Sequence, residues 1–128
     1  MTTARQFIES FLQEETTAGA SARVPLSAVY SEYFGEPMTQ FAERFLPKDR
    51  VPVVEHVEQS DNTARVAVRA HLHKSDIRYY YRLAASGASW KIVGYDGECL
   101  ACSGTGQFET SPCKKCNGKG WYVIFPEA

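Results

Sequence analysis

The chain has 128 residues, of which 44% are apolar and 23% charged, with a formal net charge of -1. That length suits one globular unit with a modest core, and no apolar run approaches the ~20 residues of a membrane span. With no charged-then-apolar leader in the opening residues, a cytosolic location is expected, where thiols stay reduced.

Helical periodicity dominates the first third. Ala4, Phe7, Ile8, Phe11 and Leu12 follow the i, i+3, i+4 rule, and Thr3 with Gln6 has capping-box spacing. After Gly19 a polar link leads to Pro25, and Leu26, Val29, Tyr30, Tyr33 and Phe34 repeat the spacing until Gly35 offers a stop. A third, shorter helix is expected from about Thr39 to Leu46, ending at Pro47, with Phe41, Ala42, Phe45 and Leu46 facing inward.

From Val51 the period changes to two. Val66, Val68, Ala70 and Leu72 alternate with Arg65, Ala67, Arg69, His71 and His73; Ile77, Tyr79, Tyr81 and Leu83 alternate with Arg78, Tyr80 and Arg82. One face is apolar and the other basic. Ser86-Gly87 turns the chain into Trp90-Lys91-Ile92-Val93, and Trp121 to Phe125 reads as a last strand that pairs with the one entering the cysteine-rich stretch. Charge is uneven: residues 1–61 carry five basic and ten acidic side chains, and residues 62–95 carry six and one. The basic face Arg65, Arg69, His71, His73, Arg78, Arg82 and Lys91 has three readings. It is a self-association face meeting acid from the helical half, a solvated face, or, with Tyr80 and Tyr95 interleaved, a single-strand nucleic-acid platform. The slightly negative total and the lack of a nucleic-acid motif favour self-association.

All four cysteines fall in two copies of one phrase, Cys99-Leu-Ala-Cys102-Ser-Gly104-Thr-Gly106 and Cys113-Lys-Lys-Cys116-Asn-Gly118-Lys-Gly120. Two C-x-x-C pairs match the ligand count and spacing of a tetrahedral zinc site. Gly104 and Gly118 are placed to take positive φ and turn N–H groups toward the sulfurs. A four-sulfur shell is closed, so one structural zinc ion is expected, with no position open for substrate or activated water. Four thiolates and Zn²⁺ change the formal charge from -1 to -3, with Lys114, Lys115 and Lys119 near enough to offset it. Disulfides and a thioredoxin-like redox pair are the competing readings; redox motifs of that kind occur singly at a helix start.

This phrase, with Ser111-Pro112 before its second copy, resembles half of the zinc-finger region of DnaJ-type co-chaperones, which carries four such repeats around two zinc ions. The resemblance covers Cys99 to Gly120, 22 of 128 residues, and implies zinc ligation by Cys99, Cys102, Cys113 and Cys116. The chain lacks the His-Pro-Asp triplet with which a J-domain engages its DnaK-type partner. Contact with other proteins, in a chaperone-related role, is what the resemblance then implies.

The order of elements before the phrase resembles the nuclear transport factor 2-like superfamily, which includes ketosteroid isomerase and the SnoaL-like cyclases. This resemblance implies an α+β fold of three N-terminal helices on a curved antiparallel sheet, a cystatin-like cone, often dimeric through its outer sheet face. The expected organisation is this domain over residues 1–98, the zinc hairpin over 99–120, and a returning strand over 121–128. Tyr30, Tyr33, Phe34, Val66, Val68, Leu72, Tyr79, Tyr81, Trp90 and Ile92 would line the cone. Its enzymes place an acid or histidine base inside. Glu55 and His56, neighbours on opposite faces of the first strand, are the candidates here, with the Tyr79 or Tyr81 hydroxyl as polarising partner. The reading favoured is a non-enzymatic zinc module that contacts a protein partner. Apolar-ligand binding or isomerase and dehydratase chemistry in the cone is the alternative, and nucleic-acid binding the third.

Overall fold

The computed structural model describes residues 2–21, 25–44, 50–72 and 75–126, with backbone alone at 21, 43, 44, 72 and 75. Helix α1 spans Ala4–Ser21 and α2 spans Leu26–Tyr33. The start of α1 is a reciprocal capping box: Gln6 N–H donates to Thr3 Oγ1 at 3.1 Å, and Thr3 N–H donates to Gln6 Oε1 at 3.0 Å. Its buried stripe is Ala4, Phe7, Ile8, Phe11, Leu12, Glu15 and Ala18.

The expected third helix is a 3₁₀ segment, Met38–Arg44, and the expected three-helix cone is thereby replaced by two helices on a five-stranded sheet. Phe45, Leu46 and Pro47 of that expectation lie outside the described residues. The physical reason is anchoring: a segment of about two turns takes its form from its tertiary contacts rather than from its own propensity, and α2, as short, is α-helical. Gly35 N–H donates to the Ile92 carbonyl at 2.8 Å, and Phe41 stacks on Phe125 with centroids 4.9 Å apart.

The sheet has the order β1-β2-β3-β4-β7, every pair antiparallel. Its strands are β1 Val53–Gln59, β2 Thr63–Leu72, β3 Ser75–Ser86, β4 Ser89–Glu98 and β7 Trp121–Phe125. Between the last two, β5 Gln107–Phe108 and β6 Ser111–Pro112 form a separate two-stranded ribbon. Val66, Val68, Tyr81, Leu83, Trp90 and Ile92 face α1 and α2 and are almost wholly buried.

Phe11 stands at the centre of this core. Its ring lies 5.3 Å from that of Tyr33, 5.8 Å from Phe34 and Tyr81, and 6.3 Å from Tyr30. The residues expected to line a cone therefore pack around a phenylalanine delivered by α1. Tyr79 is half-buried beside Tyr95, and of Leu72 the backbone is described.

Candidate metal centre

Strand β4 runs straight into the cysteine-rich segment and β7 returns from it. Glu98 faces Trp121, and Cys99 N–H donates to the Gly120 carbonyl at 2.9 Å. The segment is the tip of a hairpin whose base belongs to the sheet. Inside it the two copies of the phrase have the same local structure. Gly104 N–H closes on the Cys99 carbonyl and Gly118 N–H on the Cys113 carbonyl, both at 2.9 Å. The copies cross-link reciprocally, since Cys113 N–H donates to the Gly106 carbonyl, also at 2.9 Å, as Cys99 does to Gly120.

The glycines divide the work differently from the sequence expectation. Gly104 and Gly118 do take positive φ, +79° and +78°, but their N–H groups close the turns. The sulfur-directed donors are the last glycines of each copy: Gly106 N–H lies 3.3 Å from Cys102 Sγ, and Gly120 N–H 3.2 Å from Cys116 Sγ. A Cβ on Gly106 would run into the Gly118 carbonyl, and one on Gly120 into the Gly104 carbonyl. Close approach of the two turns requires glycine there.

This framework brings all four sulfurs within 4.8 Å of one another, and all four cysteines are buried. Cys99 Sγ lies 3.9 Å from Cys113 Sγ, and Cys102 Sγ 3.7 Å from Cys116 Sγ. A zinc ion at about 2.3 Å from each sulfur sets a tetrahedral edge of about 3.8 Å, so the spacing fits the ion. It is far beyond the ~2.05 Å of a disulfide, and the cysteines are free thiols. Without metal, burial raises the Cys99 thiol to about 11. Burial also acts to raise Cys102, but the Gly106 N–H and the neighbouring thiols outweigh it and bring that group down to about 7. All four positions are taken by protein sulfur, so a zinc ion held here braces the turns and has no vacant site for a reactant.

The base candidates do not enter the core. The β1–β2 register slips by one between Val54 and His56, so Glu55 and His56 both lie opposite Ala67 on the outer sheet face. The expectation that one of the two points inward fails because a bulge breaks the strict alternation on which it rested. His56 pairs with Glu58 at 3.7 Å in solvent. Glu55 accepts from Arg78 Nε at 2.7 Å and from Arg69 Nε at 2.9 Å, and the two guanidiniums hold its carboxyl below the usual range.

The arginines of the basic face are paired with acids, of which Asp96 and Glu98 are not located by strand alternation. Arg69 reaches Asp76 as well as Glu55; Arg78 reaches Glu98; His71 Nδ1 lies 2.8 Å from Asp76. Arg65 and Arg82 approach Asp96, wholly buried in β4, at 3.6 and 3.2 Å. Burial pushes the Asp96 carboxyl up against the pull of Arg82 and Arg65. Arg82 also donates to the Phe125 carbonyl at 2.8 Å, lying across Gly94 where no Cβ would fit. Arg65 sits between the rings of Tyr80 and Trp121, 4.1 Å from each centroid. Lys91 donates to the Glu32 carbonyl, and His73 lies outside the described residues.

Two buried acids escaped the sequence reading. Asp96 is one. Glu15 is the other: it is wholly buried in α1 and accepts from the Tyr30 hydroxyl at 2.9 Å. Its signal was present, three residues after Leu12 and four after Phe11 on the same stripe. Asp96 carried none, because a second register slip between Arg82 and Leu83 resets the faces of β4.

The chain is similar to the chaperone protein DnaJ of Desulfitobacterium hafniense strain DCB-2 and to that of strain Y51, 68% identical to each over 22 residues. The match covers 17% of this chain and 6% of those proteins, and its length equals that of Cys99–Gly120. No family model and no solved structure matches the chain. The short match and the four-sulfur cluster together support a zinc site of the DnaJ finger type. They do not reach the α+β body, whose superfamily resemblance gains no support from them. No described helix is long and apolar enough to cross a membrane.

Proposed function

We propose that this chain is a non-enzymatic module in which one structural zinc ion braces a hairpin tip that contacts other protein chains, in a chaperone-related role within a reducing compartment. The observation that carries the reading is the closed set of four sulfurs at tetrahedral spacing. A second feature gives that brace a purpose: Leu100 and Phe108, both on the finger, are 68% and 60% exposed. Large apolar side chains held in water on a rigid loop suit a contact surface.

Neither competing reading has comparable support. Catalysis in the body would need a base facing an open interior; Glu55 and His56 face outward, and Phe11 fills the space between helices and sheet. A nucleic-acid platform needs cations free to meet phosphate, whereas Arg65, Arg69, Arg78 and Arg82 each have a carboxylate partner within the chain. The same pairing makes the finger a better contact surface than the sheet face.

The test is suppression of aggregation. The zinc-loaded chain is expected to delay light scattering by a heat-denatured model protein, and the Cys113→Ser chain to lose the effect. A Cys113→Ser chain that folds, holds no zinc by native mass spectrometry and delays aggregation equally well refutes the reading.

A further inference from the structure

We propose that a groove beside the second turn of the finger binds a peptide segment in which an apolar side chain is followed by carboxylates; this rests on the reading that the finger contacts proteins. The groove encloses about 430 Å³ and is lined by Ala101, Phe108, Pro112, Cys113, Lys114 and Lys115, among others. Its volume falls in the range of sites that hold a few side chains or a small ligand.

The two copies of the phrase share one backbone and differ in the residues between their cysteines. The first has Leu100-Ala101, the second Lys114-Lys115. Identical turns thus present an apolar and a cationic pair, and Ala101 of the one meets Lys114 and Lys115 of the other across the groove. Among the described residues neither lysine has an ion-pair partner, whereas all four sheet arginines do. Their charge offsets the buried thiolates at a distance, and with no carboxylate of the chain on them their exposed ammonium groups can meet an incoming acid.

The apolar part of the wall comes from the neighbouring ribbon, whose Phe108 and Pro112 line the groove; a large apolar side chain of the peptide buries against them. A nucleic-acid strand is disfavoured, since two lysines with Glu109 on the same lining supply little counterion release.

Fluorescence anisotropy with the full zinc-loaded chain tests this, using a labelled octapeptide with a central Leu-Phe followed by Asp-Glu. Replacing Asp-Glu by Asn-Gln is expected to weaken binding about tenfold, and replacing Leu-Phe by Ser-Ser at least as much. Lys114→Glu combined with Lys115→Glu should abolish the preference for acid, and Phe108→Ser should weaken every peptide about tenfold. All three positions are exposed, and one zinc per chain verifies the fold of each variant. Equal binding of acid and amide peptides, unchanged affinity in the lysine variant, or tighter binding of a labelled oligonucleotide overturns the proposal. If the octapeptides fail while zinc-dependent suppression of aggregation persists, the groove inference falls alone; if both fail, the contact reading falls with it.

Discussion

The helix-covered sheet and the finger are held together by opposite means. Among the described residues of the body, twenty buried apolar side chains form one continuous cluster around Phe11. In the finger the buried cluster consists of the four cysteines alone. Stability in the first is distributed over many contacts that each contribute little; in the second it is concentrated in four sulfurs and the glycines that let them converge. The difference implies two separable transitions, one set by apolar burial and one by metal and pH.

Removing the metal is the largest perturbation. Structural zinc binds with an apparent ~10–16 kcal/mol at neutral pH, so chelation or Cys113→Ser is expected to erase hydrogen-exchange protection across 99–120. Protection in α1 and in β2 and β3 should remain, and loss of both together would break the comparison. Acid has the same selective effect. Thiolates bind zinc and thiols do not, so affinity falls as pH falls, and metal release followed by a chromogenic chelator should precede unfolding of the body.

Phe11→Ala is the reciprocal experiment. Truncating a buried phenylalanine costs about 3–5 kcal/mol, read as a lower urea midpoint, while zinc stoichiometry stays at one per chain.

A smaller effect separates two kinds of glycine. Gly120→Ala must accept φ of +87° and a collision with the Gly104 carbonyl, and it should weaken zinc binding about tenfold or more in chelator competition. Gly87→Ala has a similar φ, +61°, but open space around it, and should cost only ~1 kcal/mol of stability with zinc affinity unchanged.

The smallest effects lie on the surface of the body. Thr3→Ala removes one arm of the capping box and should cost about 1 kcal/mol. The lowered carboxyl of Glu55 contributes stability that is present above its ordinary value of 4.5 and disappears as pH falls through the depressed one. Glu55→Gln should flatten that part of the stability–pH curve.

How much of this was readable beforehand varies with the distance over which the deciding contact acts. The tandem C-x-x-C-x-G-x-G phrase displays its ligands, their number and their turns within 22 residues, because a turn of five residues largely determines its own geometry. The stripe on α1 and the alternation of β2 and β3 are legible for the same reason, each being a repeat of one local geometry. The third helix was misread because Met38–Arg44 is held by residues from far along the chain, Phe125 stacking on Phe41 and Ile92 holding Gly35 just before it.

From sequence alone, then, came the metal site, the two helices and the alternating strands. The tertiary structure decided that Glu55 and His56 share the outer face, that Phe11 occupies the interior, and that the row of arginines has its charge met. The first depends on a one-residue slip in strand pairing, the second on how α1 docks on the sheet, and the third on acids such as Asp96 lying 31 residues beyond Arg65. A slip of one residue reverses the face of every later side chain, and no periodicity encodes where it occurs.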